Sequence, residues 1–242
     1  MIKPMSGFSL LLGFGIVLGL GWTVAQAGER YAEHIFNLGV AILFLSLVGS
    51  RGFYVCLNWD YYRLHLPDIL WVWQGGFSGS GALLGGFLGV LLAAWYARLS
   101  PRGLADHYLP LLASLTVAGW LACWLAGCAY GAISHAWWAL PARDEWGASE
   151  WRFPVQFVGA VLSAGVFAWL ERQRALFRVP GLAASLGLLF TALILFGLSF
   201  LRADPMPRWS GLRLDAWGAL AVIAISLCFG LFSFLSYRME RS

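Results

Sequence analysis

Seven long apolar stretches, separated by short polar segments, are the feature that most constrains how this chain can fold. A helix needs about 20 apolar residues to cross a hydrocarbon layer roughly 30 Å thick. The stretches that reach or approach this length are residues 7–25, 35–56, 79–96, 109–131, 155–170, 181–201 and 216–237. The sequence therefore predicts an all-α integral membrane protein with about seven transmembrane helices.

The composition agrees with this prediction and argues against a soluble fold. Hydrophobic residues make up 60% of the 242 residues and charged residues only 12%, about half the usual charged share of a globular protein. The mean hydropathy is +0.72. Since no linker or shift in composition divides the chain, we expect one polytopic membrane domain spanning residues 1–242.

The net charge of +4 does not indicate nucleic-acid binding. A nucleic-acid interface needs clustered positive charge, whereas the basic residues here are spread over many loops. Scattered basic loops in a membrane protein more often meet anionic lipid head groups. We therefore expect no nucleic-acid partner.

The distribution of arginine around the spans predicts an orientation. Arg172, Arg174 and Arg178 form one tight cluster, and Arg238 and Arg241 form another at the end of the chain. Positive residues close to span ends favour the cytoplasmic side. We therefore expect the carboxyl terminus in the cytoplasm and the amino terminus outside.

The first apolar stretch has two interpretations. Its final residues, Ala25-Gln26-Ala27, are typical of a signal-peptide cleavage site. However, Gly15 and Gly19 form a small-residue face of the kind that packs membrane helices together. We favour a retained first helix.

Neither the cysteines nor the histidines have the spacing of a metal site. Cys123 and Cys128 are five residues apart in a predicted helix, so we expect their side chains to point away from each other and to pack as small apolar groups. The four histidines show no metal-ligand spacing. The sequence predicts no metal and no cofactor.

A glycine-rich segment begins the third stretch. Gly81, Gly85 and Gly89 recur on one helix face, where they would allow another helix to approach closely. That packing role does not explain Gly75 and Gly76, which precede the helix. Bare amide groups at a helix amino terminus suit an anion such as a lipid phosphate.

Alternation of the spans places several arginines at the same membrane face as this segment. They are Arg51 after the second span, Arg152 before the fifth and Arg202 after the sixth. Together they could hold a phosphate through bidentate hydrogen bonds. The alternative is that these arginines simply reach for water at the interface.

Four segments resemble, in order, those of the prolipoprotein diacylglyceryl transferase family. The segments are Asp68-Ile69-Leu70 with residues 73–76 and 81–85, then residues 104–131, then Arg152-Phe153-Pro154-Val155-Gln156, and finally residues 199–205. The resemblance implies a bacterial inner-membrane enzyme. Its implied reaction transfers diacylglyceryl from phosphatidylglycerol to the lipobox cysteine thiol of a prolipoprotein signal peptide.

The same resemblance implies a set of site residues. The candidates for catalysis are Arg202, Arg152 and Ser80. The implied phospholipid-binding residues are Arg51, Gln74, Gly75, Gly76, Gly81, Gly119, Gly127, Gly131, Arg152, Gln156 and Arg202.

The chain also departs from the family pattern at several polar positions. A histidine of the family falls on Ser80. Where the family has arginine, this chain has Trp120 and Leu195. Where the family has asparagine and glutamate, it has Cys123 and Gly159. Because fixed charges at these places would stabilise a departing phosphate, their loss leaves an alternative open. That alternative is a non-catalytic phospholipid-binding protein, or an accessory subunit that joins partner membrane subunits. A transporter ranks below both, because the spans carry almost no buried charge.

Overall fold

The computed structural model describes residues 6–144, 146–174 and 177–241, without the side chains of Ser6 and Gln74. Its helices are α1 (Ser6–Ala27), α2 (Ala32–Leu57), α3 (Trp59–Tyr62), α4 (Gly79–Ala97), α5 (Pro101–His107), α6 (Leu109–Ala126), α7 (Val155–Arg172), α8 (Leu182–Ser199) and α9 (Leu214–Met239). Two short 3-10 helices, Leu66–Leu70 and Val72–Gln74, lead into α4.

Six helices of the described chain are long and apolar enough to cross a membrane, namely α1, α2, α4, α6, α8 and α9. Helix α7 lies where a seventh span was predicted and has 18 residues. It is less apolar, since it begins near Gln156 and ends with Glu171 and Arg172. The fold class is therefore confirmed, and about seven spans is close to what the structure contains.

Glycine allows the tightest helix pairs to form. A Cβ added to Gly85 would meet the backbone of α2, with the Gly49 Cα only 2.9 Å away. In the same way, a Cβ added to Gly19 would lie 2.8 Å from the Leu111 Cα of α6. The predicted packing roles of these two glycine faces are confirmed.

Two short hairpins extend the face where α2, α6 and α8 end. Strand β1 (Leu140–Arg143) pairs antiparallel with β2 (Ser149–Arg152) between α6 and α7. Strand β3 (Arg208–Trp209) pairs with β4 (Leu212–Arg213) between α8 and α9. We refer to this side of the molecule as the hairpin face.

The prediction for Cys123 and Cys128 was wrong, because the structure joins them in a disulfide with their Cα atoms 4.7 Å apart. The helix was expected to continue to residue 131, but it ends at Ala126. Gly127 follows with a φ of +72°, a conformation that glycine adopts without strain. This left-handed residue turns the chain back, so that the amide of Cys128 donates to the carbonyl of Cys123.

On the opposite face, a carboxylate from one helix caps another. Asp106 of α5 accepts a hydrogen bond from the amide of Gly181 at 2.6 Å and from the amide of Ala184 at 2.8 Å. These amides lie at the amino terminus of α8, where backbone donors lack partners within their own helix. The short helix α5 is thereby fixed against the start of α8.

Candidate functional site

A cavity of about 70 Å³ lies on the hairpin face. Helices α2, α4, α8 and α9 and the loop after α8 contribute to its wall. The lining residues are Tyr54, Leu57, Phe77, Ser78, Gly79, Ser80, Leu195, Arg202, Met206 and Asp215. Since one ordered water needs roughly 10–15 Å³ of such space, the cavity can hold a phosphate-sized group.

Ser80 enters this cavity from the first turn of α4. The helix is capped by Ser78, whose hydroxyl accepts from the amide of Gly81 at 3.3 Å. Ser80 is buried, and its hydroxyl donates to the carbonyl oxygen of Asp215 at 3.4 Å. The amino terminus of α4 therefore points its partial positive charge at the cavity.

Arg202 is the cationic residue among the described residues that line the cavity, and it belongs to a closed cluster of charges. It binds Asp204 through two hydrogen bonds of 2.8 and 2.6 Å, and its Nη1 lies 2.9 Å from Asp215. Arg213 contacts the same two carboxylates, at 3.2 Å for Asp204 and 3.1 Å for Asp215. We call these four residues the charge cluster.

The two arginines hold Asp204 in its ionised form. Burial raises the pKa of this carboxyl, but the hydrogen bonds and positive charges of Arg202 and Arg213 outweigh that effect. The net result is a pKa below its ordinary value. Asp204 therefore keeps its charge, and with it the orientation of Arg202.

Arg51, which the sequence assigned to phosphate, uses its guanidinium on the backbone. It donates to the carbonyls of Asp68 and Gly75, each at 2.6 Å, and to those of Ile69 and Gly76, each at 3.0 Å. Gly75 and Gly76 present these carbonyls with φ values of +89° and +82°, which favour glycine. Arg51 thus fixes the segment before α4.

Arg152 lies beside the segment that follows the disulfide. Its guanidinium is 4.5 Å from the centre of the Tyr130 ring and 3.4 Å from the carboxylate of Asp144. Gly131, which follows Tyr130 in the chain, forms a backbone bridge with Arg202. Residues 128–131 therefore connect Arg152 with Arg202. Neither Arg51 nor Arg152 is among the described residues that line the cavity.

Four other predicted site residues are not among the described residues that line the cavity. Gly81 faces α2, where an added Cβ would lie 2.6 Å from the carbonyl oxygen of Gly49. Gly127 ends α6, and a Cβ added to Gly119 would meet no atom within 4 Å. Gln156 is buried and donates to the carbonyl of Cys128 at 3.0 Å. The side chain of Gln74 lies outside the described part. Their roles in lipid binding stay predictions.

Four of the departures from the family pattern, at Trp120, Cys123, Gly159 and Leu195, lie together in space. Trp120 belongs to an apolar cluster that also contains Cys123 and Leu195. Its indole ring lies directly on Gly159, where an added Cβ would come within 2.9 Å of ring atom Cε3. One apolar cluster therefore replaces the polar positions on this side of the cavity.

Tyr54, Arg213 and Asp215 are among the residues of the site that sequence reasoning missed. Arg213 and Asp215 flank the start of α9, which alternation of the spans already placed on the same face as Arg202. The alternation of spans was therefore the one signal that could have indicated Arg213 and Asp215. It does not show which span ends lie next to each other within that face.

Comparison with known proteins finds relatives that match nearly the whole chain. The family model described as prolipoprotein diacylglyceryl transferase matches residues 3–232. A phosphatidylglycerol–prolipoprotein diacylglyceryl transferase of Thermosynechococcus vestitus is 27% identical over 235 residues, which cover 93% of this chain and 87% of that protein. The enzyme of the same name from Streptococcus uberis is 22% identical, covering 92% of this chain and 88% of its own.

A third relative matches over a shorter region. The phosphatidylglycerol–prolipoprotein diacylglyceryl transferase of Bacillus licheniformis is 31% identical over 134 residues, about half of each chain. All three relatives carry the name of a transferase, so the comparisons favour this function over a non-catalytic lipid-binding protein or accessory subunit. The family model covers nearly the whole chain, and the chain therefore belongs to the prolipoprotein diacylglyceryl transferase family.

Proposed function

We propose that this chain is a phosphatidylglycerol–prolipoprotein diacylglyceryl transferase. The thiolate of a lipobox cysteine attacks the carbon of the diacylglyceryl group that is bonded to the phosphate oxygen. A carbon–sulfur bond forms, the carbon–oxygen bond breaks, and glycerol 1-phosphate leaves with the bonding electrons. The observation that carries the proposal is the cavity shared by Arg202 and the amino terminus of α4, in a chain that matches this family over residues 3–232.

The two positive groups of the cavity have clear tasks in this reaction. Charge grows on the phosphate oxygens as the ester bond breaks, and fixed donors aimed at that charge lower the barrier. Within the described structure, Arg202 donates two hydrogen bonds to Asp204 and its Nη1 lies 2.9 Å from Asp215, which leaves one N–H group on each Nη atom for a phosphate. The amino terminus of α4 also favours the thiolate over the neutral thiol of the substrate.

The proposal places the cavity at the outer leaflet of a bacterial inner membrane, with the amino terminus outside and the carboxyl terminus in the cytoplasm. The Cys123–Cys128 disulfide lies on the hairpin face, where the cavity opens. Disulfides persist in oxidising compartments such as the periplasm and are rare in the cytoplasm. The arginine clusters at the ends of α7 and α9 lie on the opposite face, and the positive-inside rule places such clusters in the cytoplasm.

Transfer to a lipobox peptide tests the function. Purified protein is incubated with phosphatidylglycerol and the peptide, and the thioether product is measured by mass spectrometry. We expect Arg202→Lys to lower the rate by about 100-fold or more, because lysine keeps the charge but not the paired donors aimed at phosphate.

Arg63→Lys is the matched control. Arg63 is an exposed arginine next to Asp60 on the same face, and we expect this variant to react at the wild-type rate. The proposal is refuted if no product forms under conditions in which a relative from the same family is active. It is refuted equally if Arg202→Lys and wild type react at the same rate.

A further inference from the structure

We propose that Asp215 selects the lipid head group, by accepting a hydrogen bond from a glycerol hydroxyl of phosphatidylglycerol while Arg202 binds the phosphate. This inference rests on the proposed function and names a contact that recognises its lipid substrate. Asp215 lies outside the four motif segments, the last of which is residues 199–205. Its position in the cavity suggests the role.

Asp215 is the carboxylate of the charge cluster that faces the cavity. It lies in the first turn of α9 and lines the cavity together with Ser80 and Arg202. Asp204, the other carboxylate, is not among the described lining residues. A head group bound next to Arg202 would therefore meet the carboxylate of Asp215.

The carboxylate of Asp215 has room for another donor. Its Oδ1 accepts from Nε of Arg213 at 3.1 Å. Its Oδ2 accepts from Nη2 of Arg213 at 3.1 Å and lies 2.9 Å from Nη1 of Arg202. An ionised carboxylate can accept about four hydrogen bonds. The three donors found in the described structure therefore leave one position open, on Oδ1.

The charge balance of the cluster indicates what kind of ligand fits. Two arginines and two aspartates give a formal charge of zero, so the cluster does not attract an anion through net charge. It presents instead an unused pair of guanidinium donors beside an unused carboxylate acceptor. A ligand that carries both a phosphodiester and a neighbouring hydroxyl satisfies both sides, and the glycerol head group of phosphatidylglycerol has this combination.

A matched pair of lipids isolates the proposed hydrogen bond. Phosphatidylglycerol and phosphatidylmethanol with the same acyl chains carry the same charge, but only the first has head-group hydroxyls. Binding of each lipid to the purified full-length protein is measured by competition in nanodiscs. We expect wild type to prefer phosphatidylglycerol about tenfold, the size typical of a hydrogen bond to a charged group.

A graded series at Asp215 then tests the residue. Asparagine keeps an acceptor without charge, and hydrogen bonds to neutral acceptors are roughly half as strong. We therefore expect the preference to fall to about threefold in Asp215→Asn and to about one in Asp215→Ala. Asp60→Asn is the matched control, since the Asp60 side chain is 96% exposed, and it should keep the wild-type preference.

Three outcomes would overturn the inference. The first is a wild-type protein that binds phosphatidylglycerol and phosphatidylmethanol equally well. The second is a wild-type preference for phosphatidylglycerol in both Asp215→Asn and Asp215→Ala. The third is a loss of the preference in Asp60→Asn as large as that in the Asp215 variants. If an Asp215 variant does not fold, Asp215→Glu takes its place. The longer side chain shifts the carboxylate within the cavity, so an unchanged ratio in that variant also refutes the proposal.

This assay separates the inference from the proposed function, because it contains no prolipoprotein peptide. If the Asp215 variants lose the preference for phosphatidylglycerol but wild type shows no transfer activity, only the proposed function is refuted. If wild type transfers diacylglyceryl but the Asp215 variants keep the preference, only the role of Asp215 is refuted.

Discussion

Arg51 shows how a single side chain can shape a site that it does not line. Its four hydrogen bonds to backbone carbonyls hold the segment that leads into α4. The amino terminus of α4, with Ser80, depends on where that segment ends. Arg51 therefore contributes to the site by orienting the amino terminus of α4.

Lysine cannot reproduce this arrangement, because its ammonium group lacks the planar fork of a guanidinium. We expect Arg51→Lys to lower the free energy of unfolding by about 3 kcal/mol, since buried carbonyls lose charged donors. Transfer activity should fall with it. The measurement is denaturant unfolding in detergent, with the exposed Arg63→Lys as control. Wild-type stability in Arg51→Lys would contradict the structural role given to this residue.

The resemblance to the family was enough to predict Ser80 and Arg202 at one site, and the cavity contains both. It was not enough to assign the partners of each arginine. The guanidinium of Arg51 meets carbonyls from residues 68–76, and that of Arg152 meets Tyr130 and Asp144. Such pairings depend on side-chain directions in three dimensions, which a sequence pattern does not specify.

At the scale of secondary structure, glycine sets the distance between helices. Gly85 faces the backbone of α2, and an added methyl group would also overlap the carbonyl oxygen of Leu45. By contrast, a Cβ added to Gly165 of α7 meets no atom within 4 Å. The two positions therefore make a matched pair for one substitution.

We expect Gly85→Ala to destabilise the protein by roughly 1–3 kcal/mol, because α2 and α4 must move apart. Gly165→Ala should leave stability unchanged or raise it slightly, since alanine favours helix. Thermal unfolding of both variants in the same detergent makes the comparison. Equal melting temperatures would show that the close contact of α2 with α4 contributes nothing.

Helix existence was easier to predict than helix ends. Each apolar stretch forms a helix, because length and hydropathy decide that outcome in a membrane. The stretch predicted to end at residue 131 ends at Ala126, and the disulfide arises from the turn that follows. Hydropathy does not detect such a turn, because residues 127–131 contain no charged side chain that would mark the end of the apolar stretch.

At the scale of the whole molecule, the two faces differ in chemistry. The hairpin face carries the cavity, the charge cluster and the disulfide. The opposite face carries Asp106 and His107 of α5. The sequence predicted this two-sided arrangement from the alternation of spans, whereas the cap that Asp106 provides to α8 needed the structure.

His107 makes stability depend on pH. Burial and the positive charge of Arg174 lower its pKa below 6.5, against the opposing effect of a hydrogen bond with the backbone of Thr23. The unfolded chain therefore binds a proton more readily than the folded protein, and stability falls as the pH drops below 6.5. We expect His107→Asn to weaken this dependence, measured by unfolding between pH 5 and 8. The control variant His135→Asn, at an exposed position, should keep the wild-type pH dependence. If stability in His107→Asn depends on pH as it does in wild type, His107 is not the source of this dependence.

Cysteine labelling tests the orientation of the whole chain. Cys56 is free and exposed near the end of α2 on the hairpin face, while Ser100 lies on the opposite face before α5. We expect a membrane-impermeant maleimide to modify Cys56 in intact spheroplasts. A cysteine placed by Ser100→Cys should react only after permeabilisation. The reverse pattern would invert the proposed orientation.

The contact of Trp120 with Gly159 restricts how these two positions can evolve. The indole ring occupies the volume that any side chain at position 159 would need. A mutation of Gly159 therefore causes a clash as long as the tryptophan is present, whereas a smaller residue at position 120 leaves only a cavity. Any return to a charged pair must change position 120 first, so the two sites are epistatic and the order of substitutions is fixed.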